Sequence, residues 1–547
     1  MAFLQTLRDH PLRIKLKELV PSRALESRPT LIFSLCALTM VSSLLLGGGT
    51  HGGFLSDTVL ELIALPGLLA SLSSLSALPR SEAGSRGLRW PLLICLGIVV
   101  VPLIQLVPLP PWLWTRLPQR GEIVTVYNLL GRELPWFPIS VSPSSTWVSM
   151  LSLLPPMAIF LGMIQLGYRE RRHVSLILLG VGMVAAFLGL VQVAQGDTSP
   201  LRFYTVTNES EAVGFFANRN HFAALLYSLL LLGAAWATDI AFTAGSVKGR
   251  RGLDTSAIAA LTACSLGLVV LIATEAVTRS LAGLGLMIVA VGGAFALSIT
   301  DRRRVRTSGM TPVKMILGST AVALVLSVQF ALYRILDRVG TDPIAGARLL
   351  FARNTFAAAK AYMPFGSGFG TFVSVYPMFE PPQDTIANIY ANHAHNDLLE
   401  FWLEGGMFSI LLAAAFLIWF LLRCAKLWRR APDRTRPIDI LLARAATLVV
   451  LLLIAHCDVD YPLRTGAMMA VFAFCCALLV EPFAPAQEEG TLYPGRTTRE
   501  RSDDFSARPT AAPLPAVRPA ETALTQSPPR TEERWGEDIE WPEQWRK

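Results

Sequence analysis

Long apolar runs, not alternating or weakly amphipathic segments, set the pattern of this chain. Blocks of roughly 18 to 22 apolar residues, each long enough as a helix to cross about 30 Å of hydrocarbon, recur about twelve times. They fall at about 30–48, 58–78, 90–108, 147–166, 174–195 and 221–242 in the first half. The second half carries 256–274, 282–299, 313–333, 401–422, 438–456 and 465–483. The length of these runs points to membrane helices and not to barrel strands. The expected class is therefore all-α, a polytopic membrane protein of about twelve transmembrane helices with a large outer loop.

The polar stretches between the blocks divide the chain into three parts. Residues 1–29 are basic, with Arg8, Arg13, Lys15, Lys17, Arg23 and Arg28 and no small-residue cleavage site after them, which reads as a retained anchor. Residues 30–483 form the membrane domain. Its longest outer segments lie at about 109–146, 196–220 and 334–397, and long ordered loops usually carry function. Residues 484–547 are rich in Pro, Thr, Ala and mixed charge and are expected to be a disordered tail. The tail's end, Trp535 to Trp545, interleaves Trp with acids and reads either as a docking motif for a cytoplasmic partner or as plain tail.

Composition agrees with the pattern: 52% of the 547 residues are hydrophobic and only 16% charged, against about a quarter charged in soluble domains. The net charge of +8 could point to nucleic acid, but the position of the basic residues explains it better. With the N-terminus inside, every second loop is basic: Arg80, Arg86 and Arg89, then Arg169, Arg171 and Arg172, then Lys248, Arg250 and Arg251. Arg302, Arg303, Arg304 and Arg306 follow, then Arg423, Lys426, Arg429, Arg430, Arg434 and Arg436. This alternation places both termini in the cytoplasm. The 7 cysteines have no metal-ligand spacing, and Cys36, Cys95, Cys264, Cys475 and Cys476 sit inside apolar runs as small hydrophobes.

Three arginines run against the positive-inside trend, at the outer helix ends: Arg219, Arg279 and Arg348. A charge in a spanning helix costs about 2.5 to 3.5 kcal/mol at mid-bilayer, so each calls for a reason, and a bound anion supplies one. Arg219 lies in Phe216-Ala217-Asn218-Arg219-Asn220-His221-Phe222, where Asn218 or Asn220 can cap the next helix and turn backbone N–H groups outward. The plainer alternative is an arginine snorkelling to headgroups. Arg279 follows Glu275 by one helical turn, so a simple Glu275–Arg279 pair is the alternative there. Arg348 opens a stretch whose apolar spacing suits an amphipathic helix lying on the membrane, with Arg353 and Lys360 as solvated neighbours.

The densest polar cluster is Asn392-His393-Ala394-His395-Asn396-Asp397, followed by Glu400 and by Glu404-Gly405-Gly406, in a chain holding only 7 histidines. Imidazole accepts a proton near neutral pH, and Asp397 or Glu400 is placed to orient it. A metal held by His393, His395 and Asp397 and a helix cap with incidental histidines are the competing readings. Gly366-Ser367-Gly368-Phe369-Gly370 lacks the strand and helix that a nucleotide loop needs, and reads as a tight turn near a ligand or a helix end. Walker, G-x-S-x-G and H-E-x-x-H patterns are absent.

Phe216 to Phe222, Arg348 through Gly366-Ser367-Gly368, and His393-Ala394-His395-Asn396-Asp397 with Gly405-Gly406 beyond resemble, in order and spacing, the O-antigen ligase and polymerase superfamily. Pro108 to Trp114 and Ile139-Ser140-Val141-Ser142-Pro143 are similar to members of this group as well. The resemblance implies inverting glycan transfer at the periplasmic face of the bacterial inner membrane. The implied donor is a saccharide on undecaprenyl pyrophosphate, and the implied acceptor is lipid A-core or another glycan. It implies that Arg219, Arg348 and Arg279 hold the pyrophosphate and that His395 helps deprotonate the acceptor. Asn220, His221, His393, Asn396, Asp397 and Glu400 stand as supporting residues, and no metal, nucleotide or other cofactor is required; His393, a departure from the family pattern, gives a second candidate base.

The residues themselves fit such chemistry, because a diphosphate is already an activated leaving group and needs only an anion clamp and a base. The competing class is a transporter or flippase of an anionic or lipid-linked solute. Two related halves with helices broken at mid-membrane would favour it, whereas the polar clusters here gather at one outer face. Ligase and polymerase subtypes remain open, with the Pro-rich outer loop tipping slightly toward polymerisation.

Overall fold

The computed structural model describes residues 28–50, 52–53, 55–75, 82–245, 255–299, 318, 320–325, 328–329, 343–385, 391–429 and 436–482. All of them belong to one unit, Met1–Pro485. The basic segment before Arg28, most of the 313–333 block and the tail from 484 onward lie outside the described residues.

The apolar blocks fold as helices. In chain order these are α1 (Arg28–Leu46), α2 (Leu55–Leu75), α3 (Glu82–Gln105), the short α4 (Pro111–Trp114) and α5 (Gly121–Leu129), then α6 (Pro143–Leu151) and α7 (Leu154–Met163). They continue with α8 (Tyr168–Gln195), α9 (Arg219–Gly245), α10 (Thr255–Thr278), α11 (Leu281–Ile299) and α12 (Pro343–Ala361). The one-turn α13 (Phe372–Val375), α14 (Asp397–Arg429), α15 (Pro437–His456) and α16 (Gly466–Leu478) complete them. Ten helical stretches among the described residues are long and apolar enough to cross a membrane, α6 and α7 together making one of them. The chain is an integral membrane protein. The last expected block, 465–483, yields a helix of only 13 residues.

Burial separates central from peripheral helices. The spanning windows of α9 and α15 are 78% and 72% buried, whereas those of α2 and α10 are 22% buried. In α9, Phe222 to Leu232 is buried on every side, the pattern of a helix wrapped by protein. The peripheral helices leave Leu62, Leu69 and Leu266 exposed, as a lipid-facing surface requires.

The described part of the 334–397 segment, expected as a large loop, is substantially helical. α12 is amphipathic as its spacing predicts: Ala347, Phe351, Ala358, Ala359 and Tyr362 pack with Phe372, Val375, Tyr376, Ala394 and Leu403 into a second small core. Arg353 pairs with Asp384, and Lys360 lies over the Phe356 ring at 5.7 Å.

Glycine allows two joints that position the site. A Cβ on Gly48 would stand 2.1 Å from the Phe215 carbonyl oxygen, and Gly47 and Gly48 carbonyls accept from Ala467 and Ala217 N–H at 2.9 and 3.0 Å. The end of α1 is thereby sewn to the starts of α9 and α16. The Gly366–Gly370 turn forms the other joint by docking into a kink of α14, where Gly406 adopts φ 58°. A Cβ on Gly366 would meet the Gly406 nitrogen at 2.6 Å, and one on Gly406 the Pro364 oxygen at 2.4 Å. The turn is therefore a packing device.

Candidate functional site

The C-terminal ends of α1, α8, α10 and α15 and the N-terminal ends of α9, α11, α14 and α16 meet at one end of the bundle. Arg171, Arg172, Arg423 and Arg429 mark the opposite end. The junction between α15 and α16, Cys457-Asp458-Val459-Asp460-Tyr461-Pro462, supplies the centre of the site.

Asp460 is fully buried and receives four side chains. Asn220 Nδ2 donates to Oδ2, and Arg348 Nη2 lies 3.5 Å from the same oxygen. His395 Nδ1 stands 3.3 Å and His221 Nε2 3.9 Å from Oδ1, which also accepts the Tyr461 N–H at 2.9 Å. Burial opposes ionisation of Asp460, but the facing imidazoles of His221 and His395 outweigh it and hold the carboxyl well below the ordinary range. The hub is thus an anion that collects cationic and neutral donors around itself.

His395 is held in an unusual backbone. Its φ of 49° is left-handed, as is that of Arg279 at 53°, and among the described residues Gln119 is the third non-glycine of this kind. Such conformations persist where the surroundings over-determine them, often at functional sites. The His395 ring stacks on Phe351 at 5.9 Å and meets Tyr461 edge-on at 4.9 Å. Nδ1 is thus the ring nitrogen that faces Asp460.

The neighbouring acids serve other partners. Glu400 accepts from His393 Nδ1 at 2.8 Å and from the Ala394 N–H, while His393 Nε2 donates to the Thr50 carbonyl at 3.2 Å. Burial resists charge on His393, yet Glu400 overcomes it and raises the imidazole above its ordinary value. Both ring nitrogens of His393 thus face protein acceptors, Glu400 and the Thr50 carbonyl, whereas His395 turns only Nδ1 to a carboxylate. Asp397 bonds Arg464 at 3.1 Å, and Arg464 reaches Glu404 at 2.7 Å and Glu400 at 3.5 Å. Of the two acids expected to orient an imidazole, Glu400 faces His393, Asp397 faces Arg464, and the carboxylate facing His395 is that of Asp460. Asn396 caps α14, its Oδ1 accepting from Leu399 N–H at 2.9 Å, and Asn218 caps α9 by accepting from Asn220 N–H at 2.8 Å.

The three arginines share this end of the bundle but not one partner. Arg348 keeps 34% of its side chain exposed, with Nε buried and unbonded. Arg219 Nη1 pairs with Glu211 at 2.8 Å, and its N–H is held by Asn208 Oδ1. Arg279 follows the last residue of α10, and its left-handed turn takes it off the helical register. The Glu275–Arg279 pair therefore does not form, and both carboxylate oxygens of Glu275 are buried without a hydrogen bond. His393, His395 and Asp397 diverge to Glu400, Asp460 and Arg464, so the metal trio does not assemble. Among the described residues no group of three or more His, Cys, Asp or Glu is disposed for a metal.

Asp460, Arg464 and Glu211 escaped the sequence reading. The available signal was charge density: Asp458, Asp460 and Arg464 crowd a short link between two apolar helices.

The fold and site define a polytopic helical membrane protein with a polar centre of arginine, imidazole and carboxylate at one end of its bundle. Residues 255–414 match the family model described as O-Antigen ligase, which supports membership of the O-antigen ligase and polymerase superfamily and a membrane, glycan-handling role. The match includes Arg279, Arg348 and His395, while Arg219 and Asp460 lie outside it. No curated protein matches the chain.

Proposed function

We propose that this protein transfers a glycan from a polyprenyl diphosphate, in bacteria undecaprenyl pyrophosphate, to an acceptor hydroxyl on lipid A-core or another glycan. The reaction takes place at the periplasmic face of the inner membrane, with both termini cytoplasmic. The observation that carries this reading is the convergence of Arg348, Asn220, His221 and His395 on the buried Asp460.

In the transfer, the acceptor oxygen attacks the anomeric carbon opposite the diphosphate, the C–O bond to phosphate breaks, and the acceptor proton passes to His395 Nε2. Asp460 faces Nδ1 and stabilises the imidazolium that results. Arg348, Arg219 and Arg279 meet the charge growing on the leaving diphosphate, for which the guanidinium fork is suited. The exposed part of Arg348 and its unbonded Nε leave donor capacity for that anion. The basic residues at the far end support an outer location for the site by the positive-inside rule.

His395→Ala and Arg348→Ala are each expected to lower glycan transfer by about 10²-fold or more with the protein still inserted in the membrane. Product of normal length and amount in both variants would end the reading. The subtype shows in the null strain: loss of a ligase leaves long glycan on the carrier lipid, and loss of a polymerase leaves single units.

A further inference from the structure

Glu211 is a buried carboxylate that transfer chemistry does not require. Its side chain is 2% exposed and lies 2.8 Å from Arg219 Nη1, whose own side chain is 15% exposed. The contact is built into the loop between α8 and α9. Gln192 accepts from Val213 and Gly214 N–H at 3.2 and 2.9 Å and donates to the Leu201 and Gly214 carbonyls, both at 2.9 Å. Arg202 Nη1 holds the Glu211 carbonyl at 2.9 Å, and Ala212 N–H donates to Val277, two residues before Arg279. An anion has thus been fixed on one of the guanidiniums expected to hold an anion, beside the turn that carries another.

We propose that Glu211 is the resident counter-ion of Arg219, competing with the diphosphate and re-pairing with Arg219 as the lipid diphosphate leaves. This rests on the transfer reading above. The chemistry gives a reason for such a group. A donor with sugar and lipid on its two phosphates carries about two negative charges, and the released lipid diphosphate carries up to about three. A purely cationic clamp therefore holds product more tightly than donor and slows each turnover. A carboxylate fixed on Arg219 offsets that preference and exchanges one anion for another, so that no guanidinium is stranded when product departs.

The test uses the full chain in lipid nanodiscs with farnesyl diphosphate as a product-like probe. Glu211→Gln is expected to bind the probe about tenfold more tightly, with the steady-state rate reduced more than the single-turnover rate. Glu211→Asp, which keeps the charge but lengthens the pair, falls between Gln and wild type and serves alone if the Gln variant does not fold. Unchanged or weaker probe binding in the variant that folds overturns the proposal and marks Glu211 as a support for Arg219. If the wild-type protein does not prefer farnesyl diphosphate to farnesyl monophosphate, the transfer reading fails first, which separates the two outcomes.

Discussion

Arginine occupies both ends of the bundle and is used in opposite ways. At the basic end Arg171 is buried and spends its donors on backbone: Nε on the Met163 and Leu166 carbonyls, Nη1 on Ala477 and Val480, and Nη2 on Ile164. Arg423 Nε donates to Leu479 at 2.7 Å, Arg444 Nε to Leu427 at 3.1 Å, and Arg172 grips both Asp439 oxygens at 3.0 and 2.9 Å. Arg171, Arg423 and Arg444 close the C-terminal ends of α7, α14 and α16, whose last carbonyls have no partner inside their own helices. At the other end Arg348 and Arg219 face carboxylates, and Arg348 keeps an unbonded Nε. Arg171, its donors taken up by carbonyls, is a structural clasp, whereas Arg348, partly exposed and with an unbonded Nε, keeps donor capacity for an anion.

The largest expected effect tests the site end. Asp460→Asn preserves shape and the contact to Asn220 while removing the charge that faces His395, so transfer is expected to fall about 10²- to 10³-fold with folding retained. More than a tenth of wild-type activity in membranes would show that the hub does not organise the base. The basic end should respond in the other currency. Arg171→Met leaves five carbonyl contacts unmade and should cost about 3 kcal/mol of stability, read as a lowered melting temperature in detergent. Its activity per folded molecule should stay near wild type. A selective loss of transfer without loss of stability would collapse the distinction between the ends.

The same contrast explains what the sequence could reveal. Apolar runs marked the ten spanning stretches because hydrocarbon imposes length and composition together. They misjudged α16, whose run continues to Val480 while the helix ends at Leu478 and the next carbonyls go to Arg171 and Arg423. His395 and Arg348 were legible because polar residues in an apolar chain are costly and therefore conspicuous. Their partner was not, because Asp460 lies 65 residues beyond His395, and only tertiary packing brings the α15–α16 link beneath α12 and α14. Periodicity places residues on faces, but it does not say which of three nearby acids a histidine will meet.

The smallest effect concerns whether a clasp titrates. His393 faces acceptors at both ring nitrogens, Glu400 and the Thr50 carbonyl, and Glu400 raises its folded value above the ordinary value of about 6.5. Folding then favours the protonated form, so this contribution is complete below about pH 6.5 and is lost as pH climbs through the raised value. The stability gap between wild type and His393→Gln should be about 1 kcal/mol near pH 6 and shrink toward about pH 9, followed by thermal unfolding across that range. The gap produced by Arg171→Met should stay flat over the same range, since neither a guanidinium nor a carbonyl titrates there. A flat gap for His393→Gln as well would mean that His393 is neutral in the fold, and that the site end, like the basic end, is braced by groups indifferent to pH.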